Sequence, residues 1–332
     1  MYRICVIPGD GIGQEVIPAS VAVLKALPLS FSFVDADAGW ECFQRRGVSV
    51  PDETLAEIRS SHAALFGAVS SPMGKVQGYK SAVVTMRQQL DLYVNLRPVI
   101  SLPIASARQG VNMIIVRENT EGLYAGQEER LPDRAIARRV ITVRGSERIL
   151  RYAFELARRQ QRRKVTIVHK ANILKETCGL FRDIGLCIAG EYPDITTEEM
   201  LVDTAAMRLI TDAEKFDVLV TTNLFGDILS DEASALVGGL GLAPSGNIGE
   251  QAAIFEPVHG SAPDIAGKGI ANPLAAILAA AMMLDHLGEP AQAGHVRQAV
   301  CSVLMQGVLT PDLGGTASTG EVTAAVIAAL RR

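Results

Sequence analysis

The sequence predicts an α/β protein, on three observations. Short β-branched runs alternate with longer helical segments, no repeat or low-complexity tract interrupts the alternation, and 332 residues supply core for two domains or one large α/β domain. Strands are expected at residues 3–7, 30–36, 63–67, 111–117, 165–169 and 218–222, each a short apolar run. Helices are expected at 14–27, 52–59, 146–159, 174–189, 227–236 and the alanine-rich 273–287, with two more toward the C-terminus. No Pro/Ser linker divides the chain, so two domains would interleave rather than follow one another.

Composition narrows the function classes. Lys+Arg 32 against Asp+Glu 36 gives a net charge of −4, which argues against nucleic-acid binding because phosphate recognition needs excess cations. The basic run at residues 158–164 lies between a helix end and a strand and reads as a solvated face, cations being favoured at a helix C-terminus. Five scattered cysteines with no C-x-x-C pair suggest neither a disulfide framework nor a cysteine metal site and fit a reducing cytoplasm. The N-terminus reads as a strand rather than a signal peptide. The longest apolar stretch, residues 274–284, is well short of the ~20 residues of a membrane span.

The segment VIPGDGIGQE joins the first strand to the first helix through Gly9, Gly11 and Gly13, with Asp35 and Asp37 following. It departs from G-x-G-x-x-G: the last glycine comes one residue early and Gln14 stands where a small residue belongs. A phosphate contact and an ordinary tight turn both remain open. Arg87, Arg97 and Arg117 fall near expected element ends, and their fork geometry suits the carboxylates of a di- or tricarboxylic acid.

After Arg117 come Glu118-Asn-Thr-Glu-Gly-Leu-Tyr124, and after another apolar strand His169-Lys170-Ala171-Asn172. Tyrosine and lysine at strand ends can act as a proton-transfer pair if burial and nearby cations bring their pKa values toward neutrality; the alternative is a packed tyrosine and a solvated lysine. Asp203 follows an apolar run, and Asp227 and Asp231 sit i, i+4, on one face of a helix expected to start at Asp227. Unneutralised they would repel, so a bound Mg²⁺ or Mn²⁺ is one explanation and acidic charge at a helix N-terminus the other. The histidines show no metal-ligand spacing. The last segment, FEPVHGSAPDIAGKGIANP, is rich in small residues that permit close backbone approach; Asp264 suits a ribose diol and would repel a 2′-phosphate.

Taken in order, VIPGDGIGQE, the 87–98 segment, RENTEGLY, HKAN, NLFGDILSD and EPVHGSAPDIAGKGIANP resemble the β-decarboxylating dehydrogenases of isocitrate/isopropylmalate dehydrogenase type, over nearly the whole chain. The motifs are most similar to those of bacterial homoisocitrate dehydrogenases. The resemblance implies the α/β fold of that family rather than a Rossmann fold. In it a large cofactor-binding domain, residues 1–98 and 245–332, is built from both chain ends. A central domain, 99–244, carries the dimer interface and the metal and catalytic residues, and the active site lies in the cleft between them.

It further implies that Arg87, Arg97 and Arg117, with Ser71, Val84 and Asn172, bind substrate; that Tyr124 and Lys170 are the acid/base residues; and that Asp203, Asp227 and Asp231 hold Mg²⁺ or Mn²⁺. Ser70, Glu256, His259, Gly260, Ser261, Ala262, Asp264, Ile265 and Asn272 are implied to bind NAD. NADP-dependent members carry Lys and Tyr where this chain has Asp264 and Ile265.

Lys170 and the Asp203 equivalent reach across from a second subunit in this family, implying a homodimer or homotetramer. The implied reaction is oxidative decarboxylation of homoisocitrate to 2-oxoadipate in lysine biosynthesis, with isocitrate as a shared substrate. The residue three before Arg87 helps select the C3 substituent, and Val84 offers no hydrogen bond to a carboxylate, which keeps 3-isopropylmalate as the alternative; Lys75 and Lys80 are nearby cations. Two other classes are a non-catalytic regulatory subunit, which would have lost a catalytic residue, and a plain nucleotide-binding module, which would need no metal.

Overall fold

A computed structural model describes residues 1–331. The chain opens with β1 (Tyr2–Gly9), α1 (Gly13–Lys25), β2 (Phe31–Asp35), α2 (Trp40–Arg46), α3 (Asp52–Ser60), β3 (Ala63–Ala68) and α4 (Ala82–Gln89). Its middle comprises β4 (Val94–Ile100), β5 (Asn112–Glu118), the ribbon β6 (Glu128–Arg130) and β7 (Ala135–Ala137), α5 (Val143–Arg159), β8 (Lys164–His169), α6 (Thr177–Ala189), β9 (Thr196–Leu201), α7 (Val202–Asp212), β10 (Val218–Thr221) and α8 (Asn223–Leu236). It closes with β11 (Pro244–Ile248), β12 (Ala253–Pro257), α9 (Leu274–His286), α10 (Pro290–Met305) and α11 (Thr319–Leu330).

These elements form two compact units. One comprises Met1–Leu92, Leu102–Ala107 and the chain from Gly238 onward; the other comprises Tyr93–Ser101 and Arg108–Val237.

In the first unit the strands lie in the order β2-β1-β3-β12-β11, parallel except that β11 runs against β12. One core cluster packs Ile7, Ile58, Phe66, Met86, Leu92 and Ile254. Helix α9 is buried from Leu274 through Leu284. Such a helix, apolar all round, belongs inside a fold, and its alanines allow α1 and α10 to approach closely. Among the described residues, no helix is long and apolar enough to cross a membrane.

The glycine segment is a packed turn. A Cβ on Gly13 would lie 2.0 Å from the Pro8 carbonyl oxygen, and one on Gly9, at φ +74°, 2.1 Å from that of Ala68. The N–H groups of Asp10, Ile12, Gly13 and Gln14 donate to the carbonyls of Ala68, Ser261, Asp10 and Gly11, so these donors hold protein rather than phosphate. Asp10 accepts from the backbone N–H groups of Trp40, Glu41 and Ser70, at 2.8, 2.9 and 2.8 Å, tying the turn to the start of α2.

In the second unit the order is β4-β5-β10-β8-β9, with β4 antiparallel to β5 and the rest parallel. Its core joins Val99, Met113, Ile115, Val168, Leu209, Leu219 and Leu229. The basic run is indeed a solvated face: Arg158 pairs with Asp194, Arg162 with Asp217 and Lys164 with Glu198. Helix α8 begins at Asn223, four residues before the expected start, and its first turn holds no acidic side chain. The helix N-terminus reading of Asp227 and Asp231 therefore fails: both lie too far along the helix to meet its orphan N–H groups.

Candidate active site

The register of β10 on β5 pairs Thr221 with Arg117, so α8 starts beside the C-terminal end of β5. Ligands of parallel sheets gather at such strand ends. Arg117 is buried, with Nε donating to the Asn223 carbonyl at 2.9 Å, Nη2 to Asn223 Oδ1 at 2.7 Å and Nη1 to Asp227 Oδ1. A Cβ at Gly226 would come within 2.5 Å of Arg117 Cγ, which is why the helix is bare there. From β4, Arg97 donates through Nε to Asn95 at 2.8 Å, through Nη1 to Ser230 at 2.5 Å and Asp231 at 2.9 Å, and through Nη2 to Asp227 at 3.4 Å.

Tyr124 joins the same cluster. Its loop is anchored by buried Glu118, which accepts from Thr120 N and Oγ1 at 2.8 and 2.7 Å and from Glu121 N at 2.8 Å. Burial pushes the Glu118 carboxyl up against the opposing pull of these donors. The Tyr124 hydroxyl donates to Asp227 Oδ2, and the Arg117 guanidinium lies 5.2 Å from its ring centroid. Burial raises the Tyr124 pKa, the hydrogen bond to Asp227 and that carboxylate's charge raise it further, and Arg117 opposes them.

Arg97 and Arg117 offset the charge repulsion between Asp227 and Asp231. The donor set nonetheless fits Mg²⁺ or Mn²⁺: two carboxylates on one helix face, oxygen only, with the Asp231 side chain 54% exposed and accessible from solvent. Among the described residues no group of three His, Cys, Asp or Glu converges as a metal site. Asp203 is elsewhere, on the first turn of α7, and accepts from Lys170 Nζ at 2.5 Å. That ammonium holds the Asp203 carboxyl below its usual range. Asn172 is exposed beyond Lys170, while buried His169 accepts from the Ala171 N–H at 3.1 Å, fixing the chain around the lysine.

The remaining expected site residues lie in the first unit. Arg87, on α4, donates to Asn247 at 3.0 Å and to Glu256 at 3.4 Å. Val84 sits half-buried on the same helix; Ser71, Lys75 and Lys80 are exposed before it. After β12 the small-residue loop doubles back. Ser261 Oγ lies 2.8 Å from Ser70 Oγ and its carbonyl accepts from Ile12 N, while Ala262 takes φ +39°, a strained setting for a residue with a Cβ. His259 Nδ1 lies 3.0 Å from the Gly260 carbonyl, and burial lowers the ring's pKa. Asp264 and Gly260 are exposed and Ile265 is half-buried. Asn272 donates to Asp312 at 3.0 Å and accepts from Leu274 N at 3.0 Å, starting α9.

Asn95, Asn223, Ser230 and Asn247 escaped sequence reasoning. Asn223 and Ser230 lie inside the NLFGDILSD motif and Asn95 two residues before Arg97, so proximity was the available signal; Asn247 carried none.

An α/β fold with guanidinium groups, a protonated tyrosine and paired carboxylates gathered at strand ends defines a dehydrogenase of small hydroxy acids. The sequence matches the isocitrate/isopropylmalate dehydrogenase family over residues 3–326, and the chain belongs to that family. It is 58% identical over 330 residues to the isocitrate/homoisocitrate dehydrogenase of Thermus thermophilus, covering 99% of each chain. It is 50% identical over 325 residues to the 3-isopropylmalate dehydrogenase of Methanothermobacter thermautotrophicus, covering 98% of this chain and 97% of that one. The crystal structure of isocitrate dehydrogenase from Methylococcus capsulatus superposes with a TM-score of 0.96 at 49% identity, covering 100% of both chains. Enzymes of this family are oxidoreductases that generally use NAD(P) and a divalent metal.

Proposed function

We propose that this enzyme converts homoisocitrate to 2-oxoadipate and CO₂ with NAD and Mg²⁺ or Mn²⁺, in lysine biosynthesis in the cytoplasm, and also acts on isocitrate. The carrying observation is the convergence of Arg97, Arg117 and Tyr124 on the carboxylate of Asp227. The similarity to the isocitrate/homoisocitrate dehydrogenase supports the substrate class. Arg87, Arg97 and Arg117 bind the substrate carboxylates and hold C2 in place for oxidation, a positioning effect worth about several kcal/mol. Lys170 takes the C2 hydroxyl proton in the oxidation, for which NAD would be the hydride acceptor when bound. Tyr124, kept protonated by burial, returns a proton to the carbon that loses CO₂.

Asp227 and Asp231, with Asp203 of a second copy of the chain, would hold the metal, which when bound stabilises negative charge on the substrate oxygens. Asp203, Met207 and Ile210 share one face of α7 by their i, i+4, i+7 spacing. Met207 and Ile210 are 58% and 56% exposed, and Ile228 on α8 is 57% exposed. An apolar surface beside the Lys170–Asp203 pair supports a subunit interface that carries catalytic groups. In this reading the unit holding both chain ends, with Ser70, Glu256, the 259–265 loop and Asn272, binds the cofactor. The central unit supplies metal, acid/base and interface residues. Asp264 and Ile265 favour NAD. The chain retains every catalytic residue whose loss would mark a regulatory subunit.

Half-buried, apolar Val84 favours 3-isopropylmalate as a second reading. The test is kcat/KM for homoisocitrate, isocitrate and 3-isopropylmalate side by side, with NAD or NADP and Mg²⁺. Homoisocitrate leading with NAD is the expected result; 3-isopropylmalate leading assigns the enzyme to leucine biosynthesis.

A further inference from the structure

Asn247 lies on β11, 2% exposed, and belongs to none of the motifs above. The β11–β12 register pairs Asn247 with Ile254 and Ser245 with Glu256. Strand alternation therefore places the side chains of Asn247 and Glu256 on one sheet face, diagonal to each other. Asn247 Oδ1 accepts from Arg87 Nε at 3.0 Å, and Nδ2 donates to Glu256 Oε1 at 2.7 Å. The direct contact between Arg87 Nη2 and Glu256 is the longest of the three, at 3.4 Å. All three residues are more than nine-tenths buried.

We propose that Asn247 is a positioning residue whose amide sets the guanidinium plane of Arg87 and the carboxylate of Glu256 together, linking the substrate clamp to the cofactor loop. The proposal rests on the reading of Arg87 as a substrate ligand and Glu256 as a cofactor-site residue. The single Arg87–Glu256 contact, at 3.4 Å, is too long to orient either group firmly, whereas the amide offers one oriented acceptor and one oriented donor at shorter range. Holding Nε fixes the plane of the guanidinium and so the direction of its bidentate edge. Leucine removes both contacts. Aspartate is isosteric and keeps an acceptor for Arg87, but it turns the contact with Glu256 into a repulsion between like charges.

The experiment compares wild type, Asn247→Leu, Asn247→Asp and Arg87→Lys. The substrate is whichever of homoisocitrate, isocitrate and 3-isopropylmalate the wild type turns over best. KM for hydroxy acid and for NAD, kcat and melting temperature are measured separately. N247L should raise both KM values about tenfold or more with kcat within about threefold, the pattern of lost binding rather than lost chemistry. N247D should raise KM for NAD about tenfold while leaving that for the hydroxy acid within about threefold. A purely structural role would lower the melting temperature of both variants and leave their KM values alike and near wild type, overturning the proposal. If N247L does not fold, N247D decides by whether its KM for NAD moves apart from that for the hydroxy acid. R87K separates the two levels. If it leaves the hydroxy-acid KM unchanged, the substrate-clamp reading falls and this proposal with it; if it raises that KM while N247L does not, only the role of Asn247 falls.

Discussion

The Tyr124 hydroxyl donates to Oδ2 of Asp227, while Arg117 and Arg97 bind that residue's Oδ1. Burial first, and then the adjacent carboxylate, raise the phenol's pKa, so Tyr124 stays protonated and lies further from neutrality than a free tyrosine, against the expectation for a proton-transfer pair.

The first prediction concerns that phenol. The absorbance difference between wild type and Y124F at the phenolate band should stay flat until pH exceeds the ordinary tyrosine value of about 10. Because the folded-state pKa is raised, the stability Tyr124 contributes is complete below that value and disappears as pH climbs through the folded-state one. Turnover of Y124F should fall about 10²-fold or more, the usual weight of a general acid, with the fold intact. A phenolate signal at neutral pH would remove Tyr124 from the acid role.

Lys170 and Asp203 pair with side chains 24% and 61% exposed, so solvent screens the pair and its contribution to stability is small. Lys170→Gln and Asp203→Asn should leave the melting temperature near that of wild type and abolish turnover. The depressed Asp203 pKa keeps this carboxylate ionised at and above its ordinary range, and the pairing is lost only as pH falls through the folded-state value. Mixing Lys170→Gln with Tyr124→Phe should regain activity if Lys170 reaches each site from a second chain, since some mixed dimers then hold one site with both residues intact. Failure of mixing to restore activity, with subunit exchange confirmed, counts against shared sites.

At Asp227, removal of the carboxylate takes a counter-charge from the Arg117 guanidinium, which is 1% exposed, and leaves its bonds to Asn223. Asp227→Ala should cost about 1–3 kcal/mol, below the full price of a buried pair because the aspartate side is partly solvated. Urea unfolding measures it. Asp231→Asn, with its carboxylate 54% exposed, should barely change stability yet raise the Mg²⁺ concentration for half-maximal activity about tenfold or more. Chelation should stop turnover, and Mg²⁺ or Mn²⁺ should restore it.

Cofactor selectivity tests the loop after β12. Asp264→Lys with Ile265→Tyr should move the NAD/NADP ratio of kcat/KM by about 10²-fold toward NADP, because a carboxylate that repels a 2′-phosphate is replaced by a cation that pairs with it. An unchanged ratio would place the ribose elsewhere.

Gly13→Ala should destabilise the fold by about 2–3 kcal/mol, since its Cβ meets a backbone carbonyl that cannot move aside. Activity at low temperature, where the variant stays folded, should persist, because the glycine turn serves packing and the N–H groups of Asp10, Ile12, Gly13 and Gln14 are already engaged.

Local signals in the sequence were sufficient for the alternation of strands and helices, the buried alanine-rich α9 and the order of the chemical motifs, because each is written in residues close together along the chain. The short strands β9, β11 and β12 were not legible, since their mixed polar and small residues lack a clear period and become strands only by pairing with neighbours. The start of α8 was misplaced for a related reason: Asn223 enters the helix while its side chain and carbonyl hold Arg117.

Sequence by itself determined the family and singled out Tyr124, Lys170 and the three aspartates as candidates, since these depend on residue type and local spacing. Only the tertiary structure decided which cations neutralise Asp227 and Asp231, and what orients Arg87. Arg97 meets Asp231 across 134 residues, Arg117 meets Asp227 across 110 and Arg87 meets Asn247 across 160. Such contacts depend on strand order, register and buried side-chain geometry, which set distances in space that spacing along the chain does not encode.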